Sequence, residues 1–152
     1  MSARTKFAAR TMVIGAVAAA SAIAASATAA AATPVPLSPI YTIGHGAPSG
    51  PGICAGSIDA TAYADTPSEY GTNSVSLITH FFSLTPICLI EGTLTWHNLD
   101  TGATGTKGWA LSGHDGPGAP TAVYFTPGAG KVDIQITTTT PNIPSRGQFT
   151  AT

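Results

Sequence analysis

Between Lys131 and Thr140 the chain alternates strictly. Val132, Ile134 and Ile136 hold one set of positions, and Lys131, Asp133, Gln135 and Thr137 hold the other. Side chains on an extended backbone point to opposite faces with a period of two, so this run predicts a strand with one buried and one solvated face. Cys88 to Asn98 repeats the pattern: Cys88, Ile90, Leu94 and Trp96 share one face, while Glu91, Thr93, Thr95 and His97 share the other. Five more runs have strand composition: Ser57 to Tyr63, Ser74 to Ser83, Gly105 to Ser112, Thr121 to Thr126 and Gly147 to Thr152. Turn-forming residues separate them, and Leu99-Asp100-Thr101-Gly102 reads as a hairpin turn. Helical periodicity is nearly absent. Thr occurs 20 times from Thr33 onward, which suits pleated, half-solvated surfaces.

Seven short strands at this spacing predict an all-β fold, a single immunoglobulin-like antiparallel β-sandwich over residues 54–152. A small barrel is the alternative. Trp109, Phe81 and Phe125 are expected in the core. Cys54 and Cys88 are the chain's two cysteines, and an isolated pair in an oxidising compartment is most simply a disulfide. Parity agrees, because Cys54 falls in step with Ile58, Ala60 and Ala62 as Cys88 does with Ile90 and Leu94. Trp96, on the cysteine-bearing strand, is expected to pack near the bridge. With no CxxC spacing and no basic neighbour to lower a thiol pKa, a reactive cysteine is poorly supported.

The oxidising compartment is inferred from the N-terminus. A basic stretch from Met1 to Thr11 precedes an apolar run from Met12 to about Ala25, followed by small residues with Ala-x-Ala patterns between Ala27 and Ala32. These are the three parts of a secretory signal peptide, assigned to residues 1–32 with cleavage between Ala29 and Thr33. The expectation is an exported protein, free in the medium or held at the cell envelope, with no membrane insertion after cleavage. Residues 33–53 follow as a Pro/Gly-rich linker or arm, holding Pro34, Pro36, Pro39, Pro48 and Pro51. Proline withholds backbone donors, so the arm is placed on the surface, with Ile40-Tyr41-Thr42-Ile43 docking at most as an edge strand.

Charge narrows the partners. Charged residues make up only 9% of the chain, and beyond the leader Lys107, Lys131 and Arg146 face seven acids. Three scattered cations cannot neutralise a run of phosphates, which argues against nucleic acid and anionic membrane surfaces as partners.

Catalytic motifs are equally sparse. There is no Gly-x-Ser-x-Gly elbow. His114-Asp115 is the most tempting pair, but neighbours on an extended loop point apart, and a triad needs its base oriented by a third group. The histidines, His45, His80, His97 and His114, lack metal-ligand spacing, although two strands could bring His80 and His97 together. Asp59 and Glu91 are placed on outward strand faces and Asp65 and Glu69 beside a turn, without the facing geometry of a glycosidase pair. No catalytic, cofactor-binding or metal-ligating residue is assigned, and no cofactor is expected.

The Ala-rich leader, the stretch CLIEGTLTWHNLDTGATGT and the ending GAGKVDIQITTTTPNIPSRGQFT resemble small secreted proteins of actinobacterial type. The resemblance implies an immunoglobulin-like fold and an extracellular location, and transfers no functional residues. The expected function is a non-enzymatic binding or structural module whose partner is another protein or a cell-envelope component, with Tyr63, Tyr70 and Tyr124 as candidate anchors. The alternatives are a protein inhibitor presenting Ser112 to Ala119, or a small hydrolase built on His114, Asp115 and Asp100.

Overall fold

The computed structural model describes residues 33–46, 53–83, 87–113, 116–117 and 120–152. The expected leader, residues 1–32, lies outside them. No helix occurs among the described residues. The strands are β1 (Val35–Pro36), β2 (Ile40–His45), β3 (Ile53–Tyr63), β4 (Asn73–Ser83), β5 (Cys88–Asn98), β6 (Thr104–Gly113), β7 (Gly116–Pro117), β8 (Thr121–Phe125), β9 (Gly130–Thr138), β10 (Asn142–Ile143) and β11 (Ser145–Ala151). Each of the seven runs expected from sequence forms a strand, with ends shifted by a few residues.

All pairings are antiparallel, and the strands form one sheet folded into two layers. The first layer runs β6-β5-β9-β11. The second runs β2-β3-β4-β8, with β1 and β10 as short additions beside β3 and β2, and β7 beside β4. The layers join where His45, the last residue of β2, pairs with Leu89 of β5.

That junction corrects the placement of Ile40–Ile43 at an edge. β2 pairs with β3 along its whole length and meets β10 and β5 on its other side. Among the described prolines of this stretch, Pro36 falls in β1, which is two residues long. Ile40–His45 contains no proline, so all its donors can join a ladder. Beyond the fully buried Ile40, its facing runs against hydropathy. Thr42 is buried while Tyr41 and Ile43 point outward, and the Thr42 hydroxyl is satisfied by those of Thr138 at 2.8 Å and Thr140 at 3.0 Å. A buried hydroxyl with a partner is tolerated where an orphan would cost stability.

The inward positions behave as alternation requires. Val132, Ile134, Ile136 and Leu94 are fully buried from the first layer, as are Ile58, Ala62, Val75 and Leu77 from the second. Phe125, Phe81 and Trp109 join this core. Burying each large aliphatic side chain contributes about 1.5–3 kcal/mol, so this shared interior is the main source of stability.

Cys54 and Cys88 form the expected disulfide, with Cα atoms 5.9 Å apart. It ties β3 of one layer to β5 of the other beside the β2 junction. Closing a loop of this length contributes roughly 3–4 kcal/mol on the chain-entropy estimate. The sulfurs lie over Gly44, where an added Cβ would sit 2.8 Å from each of them and 2.7 Å from Ile90 Cγ1. Only glycine leaves the bridge room to pass.

Trp96 does not pack near the bridge, contrary to expectation. It lies eight positions from Cys88 on a continuous strand, about 27 Å away at the usual rise per residue. Its indole instead stacks on Phe125, with centroids 6.4 Å apart, over Gly105 of β6. At that same end the expected hairpin turn forms. Gly102, at φ 75°, donates to the Asn98 carbonyl, and the Asn98 amide donates to that of Ala103.

Candidate functional site

Two exposed surfaces concentrate aromatic and apolar side chains, at opposite ends of the second layer. The first lies where that layer ends at β8 and the first layer ends at β6. The two edge strands leave a slot of about 420 Å³ lined by Tyr70, Lys107, Trp109, Val123 and Tyr124. Tyr124 stands in cross-strand register with Ser74 and, beyond it, Tyr63, so strand pairing itself sets two of the three candidate tyrosines in one row.

Tyr70 arrives from a loop. The chain leaves β3 through Asp65 at φ 52°, and Thr66 donates its backbone N–H to the Thr72 carbonyl at 2.8 Å. A tight turn closed between Ser68 and Gly71 then presents Tyr70, 67% exposed, with its ring centroid 6.5 Å from that of Tyr124 and tilted by 44°. Its phenol is held above the ordinary tyrosine pKa by a hydrogen bond with Glu69 and, secondarily, by desolvation. Trp109 is buried and contributes its ring to the slot wall. The result is two tilted rings at an accessible lip, a buried indole behind them and one cation, Lys107. Such a surface can hold a partner by ring contact at little conformational cost, because a tyrosine has few torsions to freeze.

The second surface is the outer face of β2, β3, β4 and β10. Tyr41, Ile43, Ile53, Phe82 and Ile143 are between 42% and 76% exposed. Register makes them neighbours: Ile143 lies beside Tyr41, Ile43 beside Ala55 and then Phe82, and His45 beside Ile53. Large residues on β2 and β4 flank small ones on β3, in the rows Tyr41–Ser57–His80 and Ile43–Ala55–Phe82. The resulting trough has a volume of about 620 Å³. Beside it, His80 Nε2 and Asp59 Oδ2 are 3.0 Å apart.

The polar candidates are dispersed. His80 pairs with Asp59, whereas His97 lies across from Asp133 near the far end of β5. The strand ladder therefore does not bring the two imidazoles together. Asp59 and Glu91 are exposed, as their parity required, and they belong to different layers. No group of three or more His, Cys, Asp or Glu side chains with metal-binding geometry occurs among the described residues. His114 and Asp115 lie outside the described residues, as do residues 118 and 119 of the Ser112 to Ala119 stretch. Asp100 is taken up by the hairpin, its carboxylate accepting the Lys131 backbone N–H at 2.8 Å. It is separated from Gly113, at the other end of β6, by about 30 Å along the strand.

Sequence reasoning named the tyrosines but missed the apolar face. A signal for it existed in Phe81-Phe82, since consecutive strand residues cannot both face the core. Phe81 is 3% exposed and Phe82 76%.

The fold thus defines an all-β, two-layer antiparallel sandwich with a disulfide tying its layers together. Comparison of the chain with protein-family models, with curated proteins and with solved structures gives no match. Functional inference therefore rests on the surfaces themselves.

Proposed function

We propose that the protein is a secreted, non-enzymatic binding module, and that the slot between β6 and β8 engages its partner, a protein or a component of the cell envelope. The observation that carries this reading is the Tyr70–Tyr124 pair, displayed at a groove backed by Trp109. Surface aromatics in a pocket are the usual anchors of interfaces. Low charge around the slot favours contact by shape and ring stacking over electrostatic capture. Export is supported by the tripartite N-terminus and by a disulfide of the kind that persists in oxidising compartments.

The test is fractionation of an expressing culture, with affinity capture of the partner from envelope or medium. Replacing Tyr70 and Tyr124 together by Ala should lower capture by about thirty-fold or more, the factor carried by hot-spot side chains. Tyr70 is exposed and Tyr124 half-buried outside the fully buried core, so circular dichroism should keep its wild-type form and separate lost capture from lost folding. Capture unchanged by the double substitution would refute the assignment of the slot.

A further inference from the structure

We infer that the outer face of β2, β3, β4 and β10 binds a second copy of this chain, giving a two-fold symmetric dimer packed face to face. Three observations converge on that occupant. The first is area. The five large side chains together expose roughly 500–600 Å², at the upper end of what a monomeric protein leaves bare. With the flanking Ala55, Ser57, Ile78 and Pro141, the face approaches the ~800 Å² that each partner buries in a standard interface.

Shape is the second. A two-fold interface must be self-complementary, each feature meeting its counterpart on the same surface of the other copy. This face carries both halves of such a fit: a ridge at His80 and Phe82, and beside it a trough floored by Ala55, Gly56 and Ser57 and bounded by Tyr41 and Ile43. Turning one copy over the other seats each ridge in the opposite trough. Stacked sheets interdigitate in the same manner at a separation of about 10 Å.

Charge is the third. Asp59 is the acid on this face, and its 3.0 Å contact with His80 supplies a partner before any association. Covering the face therefore strands no lone carboxylate, the penalty that most often forbids burial of an acid. His45 stands at the margin, next to Ile53. Beyond that His80–Asp59 pair the face carries too little charge to steer an oppositely charged protein, and a self-fitting apolar face selects its own copy.

The dimer surface is distinct from the tyrosine slot. Six positions along β3 separate the Ser57 row from the Tyr63 row, about 20 Å. Both slots of a dimer stay open, and the assembly is bivalent. If the two slots reach one target together, the second contact becomes intramolecular and raises retention without a new interaction.

The experiment is sedimentation velocity with light scattering on the protein as isolated from expressing cells, from sub-micromolar to about 100 µM. The expected result is a concentration-dependent rise to twice the protomer mass. Phe82→Asp should raise the dissociation constant at least about thirty-fold. Ala55→Trp, which fills the trough without adding charge, should do the same, and the Tyr70/Tyr124 double variant should dimerise normally. Unchanged far-ultraviolet circular dichroism of the two face variants separates lost association from lost folding. A wild-type monomer at the highest concentration overturns the proposal. So does a dimer indifferent to both face variants, because the contact then lies elsewhere. A wild-type monomer whose partner capture is abolished by Phe82→Asp also overturns it, and assigns the face to a different protein.

Discussion

Asn98 is where a single polar side chain carries the most structure. It ends β5 with no solvent exposure, and both ends of its amide are used. Oδ1 accepts the backbone N–H groups of Asp100 at 3.0 Å and Thr101 at 3.1 Å, which shapes the β5–β6 turn. Nδ2 faces the carbonyls of Pro127 at 3.0 Å, Gly128 at 3.2 Å and Ala129 at 2.9 Å, tying that turn to the approach to β9. Two amide hydrogens are shared among three acceptors, and the partner types fix which end is nitrogen.

Asn98→Ala removes all five contacts. The Pro127 bond is buried, so its carbonyl is left without a partner at a cost of about 1–3 kcal/mol. The other four are part-buried and partly replaceable by water, at roughly 0.5 kcal/mol each. The total is about 3–5 kcal/mol, or a fall in Tm of about 12–20 °C for a domain of this size. Asn98→Asp sharpens the test. It keeps the acceptor but sets a carboxylate oxygen against three carbonyl oxygens, and both burial and that repulsion raise its folded pKa above the unfolded value of about 3.9. A raised folded pKa means that stability is fullest below the unfolded pKa and is lost as pH climbs toward the folded one. The deficit of Asn98→Asp relative to wild type should therefore be smaller at pH ~4 than at pH ~7. Urea denaturation at the two pH values, followed by circular dichroism, measures both effects. A loss under about 1 kcal/mol for Asn98→Ala, or a deficit for Asn98→Asp that is no larger at the higher pH, would refute the reasoning.

Two further outcomes follow from the geometry. Gly44→Ala places a methyl group against both sulfurs and Ile90, and should cost about 1–3 kcal/mol by overpacking. Reducing the bridge should relieve much of that penalty, so urea midpoints of wild type and variant should lie closer together in reductant; an unchanged gap would show that the clash lies elsewhere. Glu69→Gln removes the carboxylate that holds the Tyr70 proton, so ultraviolet difference titration should show the Tyr70 transition at lower pH than in wild type. An unmoved transition would rule out the Glu69 contact as its cause.

The sequence by itself determined the class of fold, the interior of each long strand and the disulfide. Alternation is local: a residue and its second neighbour share a face whatever the strand pairs with. Val132, Ile134 and Ile136 could therefore be assigned inward before any partner was known, and Cys54 and Cys88 could be matched by parity. The Asp100-Thr101-Gly102 turn was legible for the same reason, since its geometry is set within a few residues. Tertiary structure alone decided what depends on pairing between distant segments. Thr42 meets Thr138 across 96 positions, and that encounter turns Tyr41 and Ile43 outward and places β2 between β3 and β5 instead of at an edge. Prolines on either side hid a six-residue run with every donor intact. Trp96 went to Phe125 because strand length, which parity ignores, carries it away from the disulfide. Candidate surfaces divide in the same way. Tyr70, Tyr124 and Phe82 are visible as aromatic residues in any reading of the chain. That two of them share a slot, and that the third shares a face with Tyr41 and Ile143, is fixed by strand order, and only the folded sheet supplies that.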